Sequence, residues 1–372
     1  MTSKVARGDR VLSAHQANSV EDFTKSKSME LPRKVVIGHN ALLDVGKVCT
    51  ELKMGKKALI VCDSTTKKIA GEKVGDKLQE LGFTVVYNVI EDATVEVVNS
   101  TMNELRDGGF DFVLGVGGGR PIDVAKCSSD KALLPFLSVP TAASHDGIVS
   151  SRGSLSSENG KVSVAARTPI AVVMDTAILA ESPYKLLAAG CGDIVSNSTA
   201  VKDWILGRKL KNEYFSSYAA SLSRMTASLL IENAGSIKPR LEESAWFVAK
   251  ALVSSGVAMS IAGSSRPASG SEHKFSHALD VIAENPGLHG EQCGVGTIMM
   301  MYLHGGDWER IRDALLTIGA PTTARSLGVT DDEIIEALVH AHKINKERYT
   351  ILGDGGLTHE AAEHLASITK VI

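Results

Sequence analysis

In its first third the chain reads Phe112-Val113-Leu114-Gly115-Val116-Gly117-Gly118-Gly119-Arg120-Pro121-Ile122-Asp123-Val124-Ala125-Lys126. The opening apolar run is typical of a strand buried on both faces, and Pro121 suits the first turn of a helix. The glycines between them remove every β-carbon at the turn, so backbone N–H groups can close on a phosphate at the helix N-terminus. The stretch therefore predicts a buried strand, a phosphate-binding loop and a helix; the alternative is a tight turn without a ligand.

Further strands and helices alternate around this stretch. Short apolar runs predict strands, at 35–38, 58–63, 84–87, 136–140 and 170–175. Amphipathic patterns predict helices between them, for example at 65–81 and 95–106. Because strands separated by helices form parallel sheets, we expect an α/β N-terminal domain with a parallel, Rossmann-like sheet. The loop is not Gly-x-Gly-x-x-Gly and follows about the fourth strand, so the standard dinucleotide fold is the wrong template.

The second half of the chain has a different pattern. After Ser182-Pro183 it is almost entirely helical, with turns expected near 190–193, 263–271, 285–290 and 353–356. We therefore expect a flexible extension at 1–30, the α/β domain at 31–182 and an all-α C-terminal domain at 183–372. Asn159-Gly160 predicts a hairpin turn, and the uncharged stretch 251–265 predicts a tightly packed core helix.

The composition excludes several classes of protein. The 372 residues include 40 Lys and Arg against 43 Asp and Glu, and this balance argues against a nucleic-acid partner. No apolar run approaches the roughly 18–20 residues of a membrane span, so no integral membrane segment is expected. An odd number of cysteines, 5, without a Cys-x-x-Cys pair predicts a reducing, cytoplasmic location.

Polar residues follow two of the predicted strands. Asp63 could accept hydrogen bonds from an adenosine ribose, which would favour NAD over NADP, or it could cap the helix after it. Thr141-Ala142-Ala143-Ser144-His145-Asp146-Gly147 follows another strand end, at the edge where open α/β sheets bind ligands. Alone, this second pattern is a weak indication of a polar substrate or cofactor.

The helical half carries candidate metal ligands. His273 and His277 are four residues apart, on one helix face, and His289 stands at the start of another predicted helix. Asp193 lies in a small-residue segment that we expect to be a turn entering a helix. Two imidazoles and a carboxylate with an open position are typical of a catalytic divalent metal, with Zn, Fe and Ni all suitable. The alternative is a set of solvated or core histidines, and spacing alone does not say whether His273 or His277 would be the ligand.

These motifs resemble those of a known family, and the resemblance covers about residues 30–372. The motifs are Gly117–Lys126, Val139–Gly147, Gly270–His277, His289–Gln292 and Arg348–Gly353. The chain resembles the archaeal-type glycerol-1-phosphate dehydrogenases, of the iron-containing alcohol dehydrogenase and dehydroquinate-synthase-like superfamily. The resemblance implies reduction of dihydroxyacetone phosphate to sn-glycerol 1-phosphate, the backbone of archaeal ether phospholipids, with NADH or NADPH.

The resemblance also implies roles for individual residues. It implies that Asp193, His273 and His289 bind the metal ion, which is most often Zn²⁺. It also implies that Asp146, Asp193 and His277 contact the substrate and take part in catalysis. From the chemistry of ketone reduction, and not from the resemblance, we expect His277 or a bound water to be the proton donor. The residues that it implies for cofactor binding are Gly117, Gly118, Gly119, Arg120, Pro121, Ile122, Asp123, Thr141, Ala142, Ala143, Ser144 and Ser150. We add Asp63 to the candidate cofactor residues because it stands at the end of a predicted strand.

Several alternatives stay open. A dehydroquinate synthase would carry Glu where this chain has Asp193, a glycerol dehydrogenase would have more closely spaced histidines, and a non-catalytic nucleotide-binding module would need no open metal site. The residues that bind the substrate phosphate are not identified, although Arg152, Arg266 and Lys343 are candidates. We expect a homo-oligomer; the sequence leaves its size and the preference between NADH and NADPH open.

Overall fold

A parallel sheet forms the core of the first half of the chain. The computed structural model describes residues 28–157 and 160–372. Within these residues the strands are β1 Lys34–Gly38, β2 Lys57–Cys62, β3 Thr84–Val89, β4 Phe112–Gly117, β5 Phe136–Pro140, β6 Arg152–Ser157, β7 Gly160–Ala165 and β8 Ala171–Asp175. Six of them pair in parallel in the order β1-β8-β5-β4-β2-β3, which confirms the predicted parallel α/β sheet.

The other two strands form a hairpin, as expected. β6 and β7 pair antiparallel, with Ser157 opposite Gly160. Residues 158–159 of the expected turn lie outside the described residues, as do residues 1–27 of the expected extension.

Helices connect the strands and make up nearly all of the second half. Their bounds are α1 Val45–Glu51, α2 Ser64–Thr66, α3 Glu72–Gln79, α4 Val95–Gly108, α5 Gly119–Ala132, α6 Thr176–Glu181, α7 Tyr184–Lys211, α8 Ser217–Glu232, α9 Glu242–Ala262, α10 Ser271–Ile282, α11 His289–Leu303, α12 Trp308–Ile318, α13 Ala324–Leu327, α14 Asp331–His340 and α15 His359–Ile368. A π-helical segment, Lys67–Gly71, joins α2 to α3, so the helix expected at 65–81 is present in three pieces.

One expected turn is wrong. Residues 190–193 lie inside the long helix α7, not at its entrance. A β-carbon on Gly190 would lie 2.1 Å from the carbonyl oxygen of Ala143, and one on Gly192 would lie 2.2 Å from that of Gly290. The small residues therefore allow the backbone of α7 to pack closely against its neighbours, which a local sequence pattern does not distinguish from a turn.

The core is continuous between the two halves. One face of the sheet, which includes Ile60 and Leu114, packs against α1 and α3. The other face is part of a larger hydrophobic cluster that continues into the helices of the second half of the chain. Helix α9 covers 251–262 of the core helix expected at 251–265, and the expectation is wrong for the last three residues, because the helix stops before Gly263, whose φ is 64°. By length and composition α9 is the one described helix that could cross a membrane, but it packs against α6 and α8 and is largely a core helix.

Candidate active site and metal centre

A cleft of about 1130 Å³ opens at the carboxyl ends of the sheet strands. The sheet side contributes residues that follow β2, β4 and β5, and the helical half contributes α10 and the start of α11. The cleft therefore brings together the two groups of candidate residues that the sequence places in different halves of the chain.

The glycine loop lies on the sheet side of this cleft. Gly118 caps α5 without a side-chain hydrogen bond, so no side chain fills the cap at the helix N-terminus. A β-carbon on Gly118 would meet no atom within 4 Å, because this position faces open space. Gly117 has φ 155° and an added β-carbon there would lie 2.7 Å from Pro121, so this glycine serves the turn itself.

Most of the predicted cofactor residues line the cleft. These are Asp63, Gly118, Gly119, Arg120, Pro121, Asp123, Thr141, Ala142, Ser144 and Ser150. Three of the predicted residues, Gly117, Ile122 and Ala143, do not line the cleft. The side chains of Ile122 and Ala143 are fully buried. Asp63 caps α2, since its Oδ1 accepts hydrogen bonds from the backbone N–H groups of Thr65 and Thr66 at 3.0 and 2.8 Å. The capping role is thus present, at a position that also faces the cleft.

The candidate metal ligands converge from three helices. Asp193 lies in the middle of α7, His273 in the first turn of α10 and His289 at the start of α11. The Oδ1 atom of Asp193 is 3.7 Å from Nε2 of His273 and 3.9 Å from Nε2 of His289. Metal–ligand bonds of about 2.0–2.2 Å at tetrahedral angles would place such atoms roughly 3.4 Å apart, so the three side chains fit one divalent ion.

Neighbouring side chains orient both imidazoles. Glu272 Oε1 lies 3.0 Å from Nδ1 of His273, and Ser276 Oγ lies 3.1 Å from Nδ1 of His289. Hydrogen bonds at Nδ1 direct the opposite nitrogen, Nε2, of each ring toward Asp193. Such partners are characteristic of metal-ligating histidines, whose ring orientation they fix.

Burial sets the charges of this cluster. It lowers the pKa of His273 and of His289 well below the ordinary range, so both rings are neutral and can donate a lone pair. Burial, and next the neighbouring charge of Asp146, raise the pKa of Asp193 well above its ordinary value. A divalent transition metal would displace the proton of this carboxyl on binding, and the carboxylate with two neutral imidazoles is a donor set that suits such an ion.

Asp146 and His277 lie next to this cluster. The backbone N–H of Asp146 donates to Asp193 Oδ2 at 2.8 Å, and its carboxylate accepts from Ser255 Oγ at 2.7 Å. His277 lines the cleft with its ring stacked 5.7 Å from that of His289, and its Nδ1 is 3.8 Å from Asp280 Oδ2. The ring is therefore beside the ligand cluster and exposed to the cleft, and His273 is the member of the pair that reaches Asp193.

One possible metal ligand, Cys293, is not among the residues that the sequence motifs indicate. Cys293 is fully buried one helical turn after His289, and its Sγ lies 3.6 Å from Nε2 of that ring. It completes a group of four possible ligand atoms that all lie within 4.8 Å of one another. Its spacing of four residues from His289 is the signal that could have indicated it. Of the phosphate candidates, Arg152 lines the cleft, whereas Arg266 and Lys343 do not.

Comparisons with known proteins show relatives that match nearly the whole chain. Residues 36–183 match the family model of iron-containing alcohol dehydrogenases. The chain is 58% identical to a glycerol-1-phosphate dehydrogenase [NAD(P)+] of Methanosarcina acetivorans, over 93% of this chain and 97% of the relative. It is 55% identical to the Methanothermobacter thermautotrophicus enzyme of the same name, over 93% and 99%. A probable glycerol dehydrogenase from Sinorhizobium meliloti shares the fold, with a TM-score of 0.77, 21% identity and coverage of 93% and 100%.

Proposed function

The chain belongs to the family of NAD(P)-dependent glycerol-1-phosphate dehydrogenases, and from this membership we propose that it reduces dihydroxyacetone phosphate to sn-glycerol 1-phosphate with NADH or NADPH. The product is the glycerol phosphate backbone of archaeal ether phospholipids. The observation that carries the proposal is the cleft in which a glycine loop at a helix N-terminus faces a cluster of two imidazoles and a carboxylate.

The sheet side of the cleft binds the cofactor. The N-terminus of α5 and the space above Gly118 suit a pyrophosphate, with Thr141 and Ser144 offering hydroxyls beside it. Asp63 Oδ1 is engaged in its helix cap, so its other oxygen would meet the ribose. The chemistry that a nicotinamide supplies when bound is hydride transfer.

The helical side holds the metal and the substrate. Asp193, His273 and His289 would hold one divalent ion, which we propose to be zinc. The chemistry that such an ion supplies when bound is Lewis-acid stabilisation of negative charge on a carbonyl oxygen. Asp146, which is anchored on Asp193 and Ser255, contacts the substrate from the sheet side.

His277 is the proposed proton donor. It faces the cleft beside the ligand cluster, and Asp280 lies 3.8 Å from its Nδ1. This carboxylate favours a proton on Nδ1 and turns Nε2 away from it. Delivery of a proton from Nε2 to the substrate oxygen, as the carbonyl is reduced, requires the doubly protonated ring, which then keeps its Nδ1 proton and takes up a new one at Nε2 from solvent in the cleft.

We place the boundary between the two domains at 182/183, between α6 and α7.

We also propose that the protein is located in the cytoplasm. The five cysteines are all buried and unpaired, as in proteins of a reducing compartment. A homo-oligomer is supported by an apolar stripe on α8, where Tyr218, Met225 and Leu229 are exposed. Light scattering of the purified protein measures the oligomeric state.

One assay tests the reaction. Oxidation of NADH and of NADPH is followed with dihydroxyacetone phosphate, with dihydroxyacetone and without substrate, before and after chelation. We expect activity with the phosphate ester, loss on chelation, recovery with Zn²⁺, and a product of the 1-phosphate configuration by chiral analysis. Activity with dihydroxyacetone but not with its phosphate would overturn the proposal and favour a glycerol dehydrogenase.

A further inference from the structure

The loop between α9 and α10 forms one wall of the active-site cleft. Ser265, Ala268 and Ser269 line the cleft together with His273 and His277. Ser269 precedes His273 by only four residues. A substrate with its oxygens at the metal cluster can therefore place its other end against this loop.

A single guanidinium fixes the loop from behind. Arg348 Nη1 donates to the carbonyl oxygen of Ser269 at 2.7 Å, and Nη2 donates to Ser265 Oγ at 2.7 Å. Because a guanidinium only donates, the Ser265 hydroxyl accepts this bond and keeps its own proton for another acceptor. Two serine positions in the cleft are thus held by one side chain that does not itself line the cleft.

The positive charge of Arg348, on the side of the loop away from the cleft, favours an anion on the cleft side of the loop. Arg266 is buried but pairs with Glu213, whereas Arg348 forms no ion pair with any of the described residues. Burial lowers the pKa of Arg348 only to about 10, so the guanidinium is charged at neutral pH. The carboxyl groups of Glu272 and Glu213 act on this guanidinium electrostatically but form no ion pair with it, so its positive charge also acts through Ser265 on the cleft.

Arg152 is less well placed for this role. Its Nε and Nη2 atoms donate to the hydroxyl and the carbonyl oxygen of Ser163, within the β6–β7 hairpin. It lies on the sheet side, near the proposed cofactor site, and two of its three nitrogens are already engaged.

We propose that Ser265 and Ser269, positioned by Arg348, form the subsite for the substrate phosphate. This inference rests on the proposed function, because it assigns the phosphate end of the same substrate. Ser265 and Ser269 are the binding residues, and Arg348 is a positioning residue that orients them and supplies positive charge.

The test compares variants of the full-length enzyme. The double variant Ser265→Ala/Ser269→Ala should raise KM for dihydroxyacetone phosphate about 30-fold, since it removes two hydrogen bonds to a charged group. KM for NADH and kcat should change less than about threefold. Inorganic phosphate, used as a probe, should inhibit the wild type competitively with dihydroxyacetone phosphate and the double variant about tenfold more weakly.

Two further variants isolate the geometry. Ser264→Ala is the matched control, because Ser264 is in the same loop but does not line the cleft, and its one side-chain hydrogen bond within residues 28–157 and 160–372 is from the backbone N–H of Arg266. It should leave both KM values unchanged. Arg348→Lys keeps the positive charge but cannot bond both serines through two nitrogens of one planar group. We therefore expect a KM for dihydroxyacetone phosphate between those of the wild type and the double variant, with the KM for NADH and the metal content unchanged.

Other outcomes overturn the inference. An unchanged KM for dihydroxyacetone phosphate in the double variant, or an equal rise of both KM values, would contradict a phosphate subsite at this loop. So would phosphate inhibition of unaltered strength. Absence of activity with dihydroxyacetone phosphate in the wild type would instead contradict the proposed function, so the two failures are distinguishable.

Discussion

The sheet side and the helical side of the cleft are built in opposite ways. On the sheet side the glycine loop offers backbone groups and empty space, and a β-carbon on Gly118 would meet nothing within 4 Å. On the helical side the ligands are side chains, and the glycines there bring helices together. A β-carbon on Gly290 would lie 2.0 Å from the carbonyl oxygen of Ala189.

This difference separates two uses of glycine. At Gly118, in the loop after β4, the missing side chain makes room for a ligand. Between α7 and α11 it makes room for another backbone, which sets the distance between Asp193 and His289. Substitutions on the two sides should therefore change different properties: cofactor affinity on one side, and stability together with metal binding on the other.

The largest effect is expected from a side chain of the metal cluster. Asp193→Asn keeps the shape of the side chain but removes its charge, so the ion should be lost. We expect kcat/KM with dihydroxyacetone phosphate to fall by at least about 10³-fold, as Lewis-acid assistance is worth several kcal/mol. Mass spectrometry of bound metal after dialysis, beside steady-state kinetics, measures both losses.

Cys293→Ala is the matched control within the same cluster. Four protein ligands would close a tetrahedral site, whereas a catalytic site keeps one position open for substrate. We therefore expect this variant to retain stoichiometric metal and most of its activity. Loss of metal would show that Cys293 is a ligand and that the assignment of three ligands is incomplete.

The second prediction concerns the packing of α7 against α11. Gly290→Ala should lower the free energy of unfolding by about 3 kcal/mol, because the new methyl group meets rigid backbone. Metal affinity should fall with it, since the two helices carry ligands. Gly294→Ala is the control on the same helix: its β-carbon would have no contact closer than 3.4 Å. Denaturant unfolding of both variants checks the difference, and equal stability would refute the packing argument.

The third prediction separates the two histidines of α10. His277→Ala should slow turnover about 10²-fold, the usual contribution of a general acid, and retain the metal. His340→Ala, on the outer helix α14, should leave both properties unchanged. If His277→Ala loses the metal instead, the division between ligand and proton donor is wrong.

Local patterns were sufficient for the sheet side of the molecule. Each predicted strand is present within one or two residues, because the inner strands are buried on both faces and so are continuous apolar runs, and the edge strands β1 and β3 are short β-branched runs. The glycine loop was likewise visible, since the strand, loop and helix that form it are consecutive in sequence. The capping of α2 by Asp63 is also a local interaction, and the sequence admitted it as one of two roles.

The helical side depended on contacts between distant segments. The turn expected at 190–193 is wrong because Gly190 and Gly192 serve the approach of Ala143 and Gly290, which lie far away along the chain. The contribution of Cys293 depends on the same helix packing. Arg348 is 83 residues from Ser265, so no spacing rule connects them. Here the sequence motifs indicated which residues matter, and only the fold indicated how they meet.

The smallest effect is expected at the glycine loop itself. Gly118→Ala adds a methyl group to open space at a backbone conformation that alanine can adopt, with φ −77° and ψ −160°, so the protein should unfold at the wild-type temperature. The methyl group would project where the pyrophosphate is proposed to bind, and KM for NADH and NADPH should rise about tenfold. Gly38→Ala, at the end of β1, also meets no atom within 4 Å but does not line the cleft, so it should change neither property. A lowered melting temperature in Gly118→Ala with an unchanged KM for the cofactor would reverse the comparison, because the loop would then need its glycines for folding, as the α7–α11 contact does.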